Sequence, residues 1–192
     1  YKVPVGQLSL VLQNAAGEPV AARVSVVASD GKSYAPDGAW MHADDSYDRS
    51  LAAFETRYFH ANGAARLTMP AGPANVTVWR GLEYQPMRRN IDIMERQKVD
   101  LTVAPVALAM PAGWENWASG DVHVHMNYGG TYRNTPDRLI RQAEAEDLDV
   151  VFNLIVNKEQ RIPDIASFSP EPDAFSNDKV LLTHSQEFHT SY

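Results

Sequence analysis

The chain has 192 residues, of which 44% are hydrophobic and 21% are charged, so it can form one large or two small globular domains. Its net charge of -7 argues against a nucleic-acid partner, and no apolar run is long enough to span a membrane. Because cysteine is absent, disulfides and thiolate chemistry are excluded, and any metal must be bound mainly by His, Asp or Glu.

Residues 1–105 have the pattern of short strands separated by turns. Leu8, Leu10 and Leu12 would lie on one face of a strand, and similar runs recur up to Val103. Gly, Asn, Asp and Pro residues separate these runs. The pattern predicts an all-β, antiparallel sandwich or barrel.

The segment 34–60 is longer than a connecting loop of such a domain and contains several aromatic residues. Its aromatic content predicts an ordered insertion rather than a disordered one. Histidine and aspartates in it could bind a cation, but a solvated acidic loop has the same composition, and we favour the loop. The residues concerned are His42, Asp44, Asp45 and Asp48.

Residues 106–118 contain Pro and Gly and predict a linker, after which a strand carries a His-x-His motif. Because successive side chains of a strand point to opposite faces, Val122 and Val124 are expected in a core and Asp121, His123 and His125 on the other face. Two imidazoles on one face can bind a single cation. The alternative is a half-buried strand whose histidines only form hydrogen bonds.

The remainder predicts a helix between strands. Residues 135–137, Thr-Pro-Asp, favour a helix start, and the helix is expected to end near Asp147. The apolar run 149–156 predicts a strand buried on both faces, in which the amide of Asn153 needs partners. A third strand is expected at 179–183, and the polar residues gather where these strands end.

Two family resemblances follow from these motifs. Segments 14–20, 22–24, 62–63 and 67–72 resemble the carboxypeptidase-regulatory-like β-sandwich family, whose members are usually accessory modules. Residues 120–125, 135–143, 148–151 and 186–189 resemble the polymerase-and-histidinol-phosphatase (PHP) superfamily of metallohydrolases, in its carbaryl-hydrolase-like branch. Together they imply a β-sandwich at 1–105, a linker at 106–118 and the first part of an α/β PHP-type distorted barrel at 119–192.

The PHP resemblance implies specific ligands. It makes His123 and His125 metal ligands and Glu187 a catalytic carboxylate that bridges two metals. His189 is added as a ligand because of its spacing from Glu187. His184 is expected to be a packed or surface histidine.

The sequence also departs from the family. Asparagine, tyrosine and threonine occupy positions after the His-x-His motif where the family has another histidine, and a Thr-Asp-His motif is missing after the second strand. One or two ions, zinc or manganese, are therefore expected rather than three. The family domain is longer than the part after Trp117, so the chain is expected to be a C-terminally truncated enzyme.

The implied function is hydrolysis of an ester, phosphoester, carbamate or amide in a small-molecule substrate. Zinc or manganese lowers the pKa of bound water from its bulk value to about 7. Asp121 is expected to fix an imidazole tautomer, or else to accept backbone N–H groups at the strand end. Tyr128, Tyr132 and Arg133 could orient substrate or be ordinary rim residues.

A non-catalytic binding module with a structural ion, or with none, is the alternative function. Unpaired strand edges of an incomplete sheet also predict a homo-oligomer. Because Tyr1 is not an initiator methionine, we expect a trimmed N-terminus, and an extracytoplasmic location is the compartment we favour.

Overall fold

A computed structural model describes residues 3–44, 56–127, 133–156 and 163–188. The chain divides into two compact units, Tyr1–Ala109 and Met110–Tyr192. In the part of the chain so described, no helix has the length and apolar character required to span a membrane.

The first unit is built from strands. They are β1 (Val5–Leu12), β2 (Ala21–Val27), β3 (His42–Asp44), β4 (Thr56–Asn62), β5 (Ala64–Pro70), β6 (Gly72–Trp79), β7 (Tyr84–Gln85), β8 (Met87–Ile93), β9 (Lys98–Val103) and β10 (Val106–Ala107). Five strands form an antiparallel sheet in the order β3-β4-β2-β6-β8. In a second sheet of order β5-β1-β9, β1 is antiparallel to β5 and parallel to β9, while β7 and β10 form a separate pair.

The strand alternation produces the core of this unit. Leu8, Leu10 and Leu12 of β1 are fully buried and belong to one apolar cluster with residues of the five-stranded sheet, among them Val24 of β2 and Val76 of β6. Because inward side chains recur at every second position, one face of each sheet lines this core.

The segment 34–60, predicted as an insertion, contributes strands to the five-stranded sheet. β4 lies between β2 and β3, and the imidazole of His42 stacks on the ring of Tyr58 with centroids 5.2 Å apart. Asp45 and Asp48 of the suggested cation set lie outside the described residues.

The described residues of the second unit form three parallel strands and one α-helix. These are β11 (Gly120–Val124), α1 (Pro136–Ala145), β12 (Val150–Val156) and β13 (Leu181–Glu187), with a 3₁₀ helix at Pro163–Ser167. The strand order is β11-β12-β13, so β12 is central. Leu139, Ile140 and Ala143 of α1 are buried in one cluster with Val151 and Leu182 of the sheet. The predicted self-association through sheet edges stays a prediction.

The predicted fold class is wrong. The described part of the chain is mostly β, with 48% strand, 9% helix and one short α-helix, and it forms several sheets with no α/β barrel. The barrel was expected because the resemblance to the PHP superfamily implies one, whereas the helix start and the buried apolar run by themselves indicate only a βαβ unit. Between β12 and β13, however, the described chain has a 3₁₀ helix and loops where a second covering α-helix would be required. The first unit also departs from a purely antiparallel sandwich because β1 and β9 are parallel.

Candidate metal centre

Three potential ligands lie at the carboxyl ends of the outer strands of the parallel sheet. His123 is in β11, His125 follows the last residue of β11, and Glu187 is the last residue of β13. Because parallel strands end at the same edge of a sheet, their long side chains can meet over the central strand β12.

The three side chains converge. Nε2 of His125 is 2.9 Å from Oε2 of Glu187, and Nε2 of His123 is 3.5 Å from the same oxygen. The two imidazole centroids are 5.1 Å apart, and each of the three residues offers a ligand atom within 4.8 Å of the others. The side chains of His125 and Glu187 are 22% and 20% exposed, whereas that of His123 is 63% exposed, so the group is open to solvent on one side.

The orientation of His125 suits a metal ligand. Its Nδ1 lies 2.9 Å from the carbonyl oxygen of Leu154. Because a carbonyl oxygen only accepts, Nδ1 carries the proton and donates, and in the neutral ring the lone pair of Nε2 is directed at Glu187. Two acceptors 2.9 Å apart require a proton or a cation between them. Metal-binding histidines characteristically donate their other ring N–H to a carbonyl or carboxylate.

The predicted alternation along β11 is wrong at Val122, which is 69% exposed, whereas Val124 packs against the core. The reason is a register irregularity between Asp121 and Val124 in the pairing of β11 with β12. Bulges of this kind re-aim side chains and are frequent beside functional sites. The sequence contained no clear signal for the irregularity.

Asp121 accepts a hydrogen bond from the backbone N–H of His123, with Oδ1 and N 3.0 Å apart. This contact agrees with the alternative in which Asp121 satisfies the backbone near the strand end, and it does not orient an imidazole. Tyr128, Tyr132 and His189 lie outside the described residues. Arg133 is exposed, and its role in substrate binding stays a prediction.

A buried polar network lies beside the three ligands, and sequence reasoning found only part of it. Asn153 was expected to need partners, and it contacts Met126, His184 and Asp164. His184 is 3% exposed and is therefore packed, as predicted. Asn127, Asp164 and Asp173 were missed because they lie in polar connecting segments whose sequence is not distinctive, Asn127 and Asp173 in loops and Asp164 in the short 3₁₀ helix. A buried asparagine in an apolar strand was the one signal that pointed to them.

No protein-family model matches the chain, and no curated protein matches it. One solved structure that it resembles is GBS52, the minor pilin of the Gram-positive pathogen Streptococcus agalactiae, at 13% identity and a TM-score of 0.39. The match covers 57% of this chain and 47% of the pilin, so the chain spans about half the length of that protein. A likeness at this level does not bear on function.

Proposed function

We propose that the second unit binds one divalent metal, zinc or manganese, through His123, His125 and Glu187, and that it is part of a metal-dependent hydrolase. The observation that carries this proposal is the approach of both imidazoles to a single carboxylate oxygen, at 2.9 and 3.5 Å. The hydrogen bond from Nδ1 of His125 to Leu154 adds to it because it places a ring proton on Nδ1, and in the neutral ring this is the tautomer that binds a metal through Nε2.

The donor set fits a catalytic site better than a structural one. Two histidines and one glutamate are a known ligand set of catalytic zinc, in which water or substrate takes the fourth position. Structural zinc sites instead have four protein ligands, commonly cysteines, and this chain has no cysteine. The exposure of His123 supports access by water and substrate from the solvent side.

Each ligand has a distinct role in this proposal. The metal, when bound, would supply Lewis-acid activation of water for attack on an ester, phosphoester, carbamate or amide. His125, held by Leu154, fixes the position of the site on the sheet edge. Glu187 supplies the negative charge and joins β13 to β11, the two strands that flank β12.

The experiment is a metal measurement on tag-free protein. We expect about one equivalent of zinc per chain after equilibration and dialysis, and loss of that metal in His123→Ala and Glu187→Ala. His42→Ala removes an imidazole from the first unit and is expected to leave the metal content unchanged. A parent protein that binds neither zinc nor manganese would overturn the proposal and favour a non-catalytic binding module.

Catalysis needs a separate measurement, because a bound metal alone does not establish turnover. The metal-loaded parent and Glu187→Ala would be compared on p-nitrophenyl acetate and p-nitrophenyl phosphate. Hydrolysis that depends on metal and is lost in the variant would support the hydrolase. Metal binding without hydrolysis of these or of carbamate and amide substrates would restrict the proposal to the metal site.

A further inference from the structure

Asn153 is a fully buried amide in the middle of an otherwise apolar strand. It has 0% exposure, and β12 reads Val-Val-Phe-Asn-Leu-Ile-Val. A buried amide is costly unless it is hydrogen-bonded. Its Oδ1 accepts the backbone N–H of Met126 at 2.8 Å, and its Nδ2 lies 3.0 Å from Nδ1 of His184 and 3.4 Å from Oδ2 of Asp164.

The network around the amide fixes which way it points. Nε2 of His184 is 2.8 Å from Oδ2 of Asp173, so Nε2 donates and Nδ1 is left to accept from Nδ2 of Asn153. A reversed amide would place its NH₂ group against the N–H of Met126 and its oxygen against the carboxylate of Asp164. Asp173 and His184 therefore hold the oxygen of Asn153 toward Met126.

Asn153 and its neighbour Leu154 contact three consecutive residues, 124–126, the middle one of which is the ligand His125. Val124 pairs with Asn153 in the sheet, the imidazole of His125 donates to the carbonyl of Leu154, and the N–H of Met126 donates to the side chain of Asn153. Regular pairing of β11 ends at Val124, after a register irregularity. Beyond Val124, the side-chain amide of Asn153 accepts the N–H of Met126 in place of a backbone carbonyl of β12. This is the point at which the backbone that carries His125 leaves the sheet.

We propose that Asn153 is a positioning residue that fixes the His125 ligand through the backbone of Met126, with the His184–Asp173 pair setting its orientation. This inference rests on the proposed metal site. Asn153 acts through His125, so its replacement leaves all three ligands present and disturbs their geometry. Outer partners of metal ligands typically contribute about 10- to 100-fold in metal affinity.

The test uses Co²⁺, whose visible absorption spectrum reports coordination geometry, in the full chain. Asn153→Leu keeps the number and branching of the side-chain heavy atoms and removes the amide, and we expect about 10- to 100-fold weaker Co²⁺ binding and an altered spectrum. Asn177→Leu is the matched control, because the Asn177 side chain also accepts backbone N–H groups in this unit, at Lys179 and Val180. It is expected to keep the parent affinity and spectrum.

The outcomes separate this inference from the proposed function. A parent that does not bind Co²⁺ overturns both, whereas a parent that binds it and an Asn153→Leu variant with unchanged affinity and spectrum overturn only the role of Asn153. If the leucine variant does not fold, amide hydrogen exchange of the parent decides. Exchange of the Met126 amide as slow as that of the β12 amides supports the role, and exchange at the rate of an unprotected loop overturns it.

Discussion

Nδ1 of His125 lies 2.9 Å from the carbonyl oxygen of Leu154, so this imidazole is oriented before any metal arrives. The side chain of His123, by contrast, is 63% exposed, and its Nε2 is 3.5 Å from Glu187. The two histidines of one short motif are therefore unequal ligands. His125 brings a pre-set tautomer and rotamer, while His123 has to be ordered when the metal binds.

Because the two histidines are oriented to different degrees before metal binds, replacing each one should weaken zinc binding to a different extent. We expect His125→Ala to weaken zinc binding more than His123→Ala, by an additional factor of about 2 to 10. That factor corresponds to the roughly 0.5–1.5 kcal/mol that ordering a side chain costs on binding. Competition titration with a chromogenic zinc chelator would measure both affinities. Equal losses in the two variants would contradict the pre-orientation of His125.

Metal binding should also stabilise the second unit. Zinc at a free concentration 100 times its Kd is expected to stabilise the folded unit by about 2.7 kcal/mol, because it binds the folded chain preferentially. Glu187 ends β13 and His125 directly follows β11, and these two strands are not neighbours, so protection should rise in both β11 and β13. Hydrogen exchange measured with zinc and with EDTA would detect this added protection. Glu187→Ala should show the same exchange in both conditions.

Local signals predicted the elements of the second unit well. Residues 135–137 predicted a helix start, and α1 is Pro136–Ala145; the apolar run 149–156 predicted a strand, and β12 is Val150–Val156. Even here a detail differs, since the Thr135 hydroxyl contacts the carboxylate of Asp137 instead of capping a backbone N–H. Helix starts and apolar runs are recognisable because the interactions that specify them lie within a few residues.

Long-range features were not predictable in the same way. The irregularity in β11 depends on pairing with β12 across about thirty intervening residues. The contact of Asn127 with Asp164, at 2.6 Å, joins the turn after β11 to the 3₁₀ helix. The fold class was mistaken for a related reason. A helix start and a buried strand describe a βαβ unit, but they do not specify how many further helices cover the sheet.

The buried pair of His184 and Asp173 predicts a local cost to stability. His184→Ala would leave Nδ2 of Asn153 and the carboxylate of Asp173 without this partner, in addition to opening a cavity. We expect a loss of about 2–4 kcal/mol in the free energy of opening at β12, measured by hydrogen exchange. Lys179→Ala, at an exposed position nearby, should change it by less than about 0.5 kcal/mol. If the β12 amides of His184→Ala exchanged at the same rate as in the parent, the contribution of this hydrogen-bond network to stability would be contradicted.

The start of α1 predicts a pH dependence of stability. The hydrogen bond from the Thr135 hydroxyl is the main cause that lowers the pKa of Asp137, and the positive charges of Arg141 and Arg138 add to it. A carboxyl whose pKa is lower in the folded chain stabilises the fold above its unfolded pKa, and this contribution is lost as the pH falls through the folded pKa. We therefore expect Asp137→Asn to lower the Tm of the second unit at pH 7, and this difference to decrease progressively as the pH falls below about 4, the ordinary value of an aspartate. Because Asp137 is near the surface, the Tm difference should be small, and the part of it due to Arg141 should decrease with added salt.

Thermal scans of parent and variant from pH 7 to pH 3 would measure this Tm difference. A difference that stays constant over that range would rule out the contribution of the ionised carboxylate of Asp137.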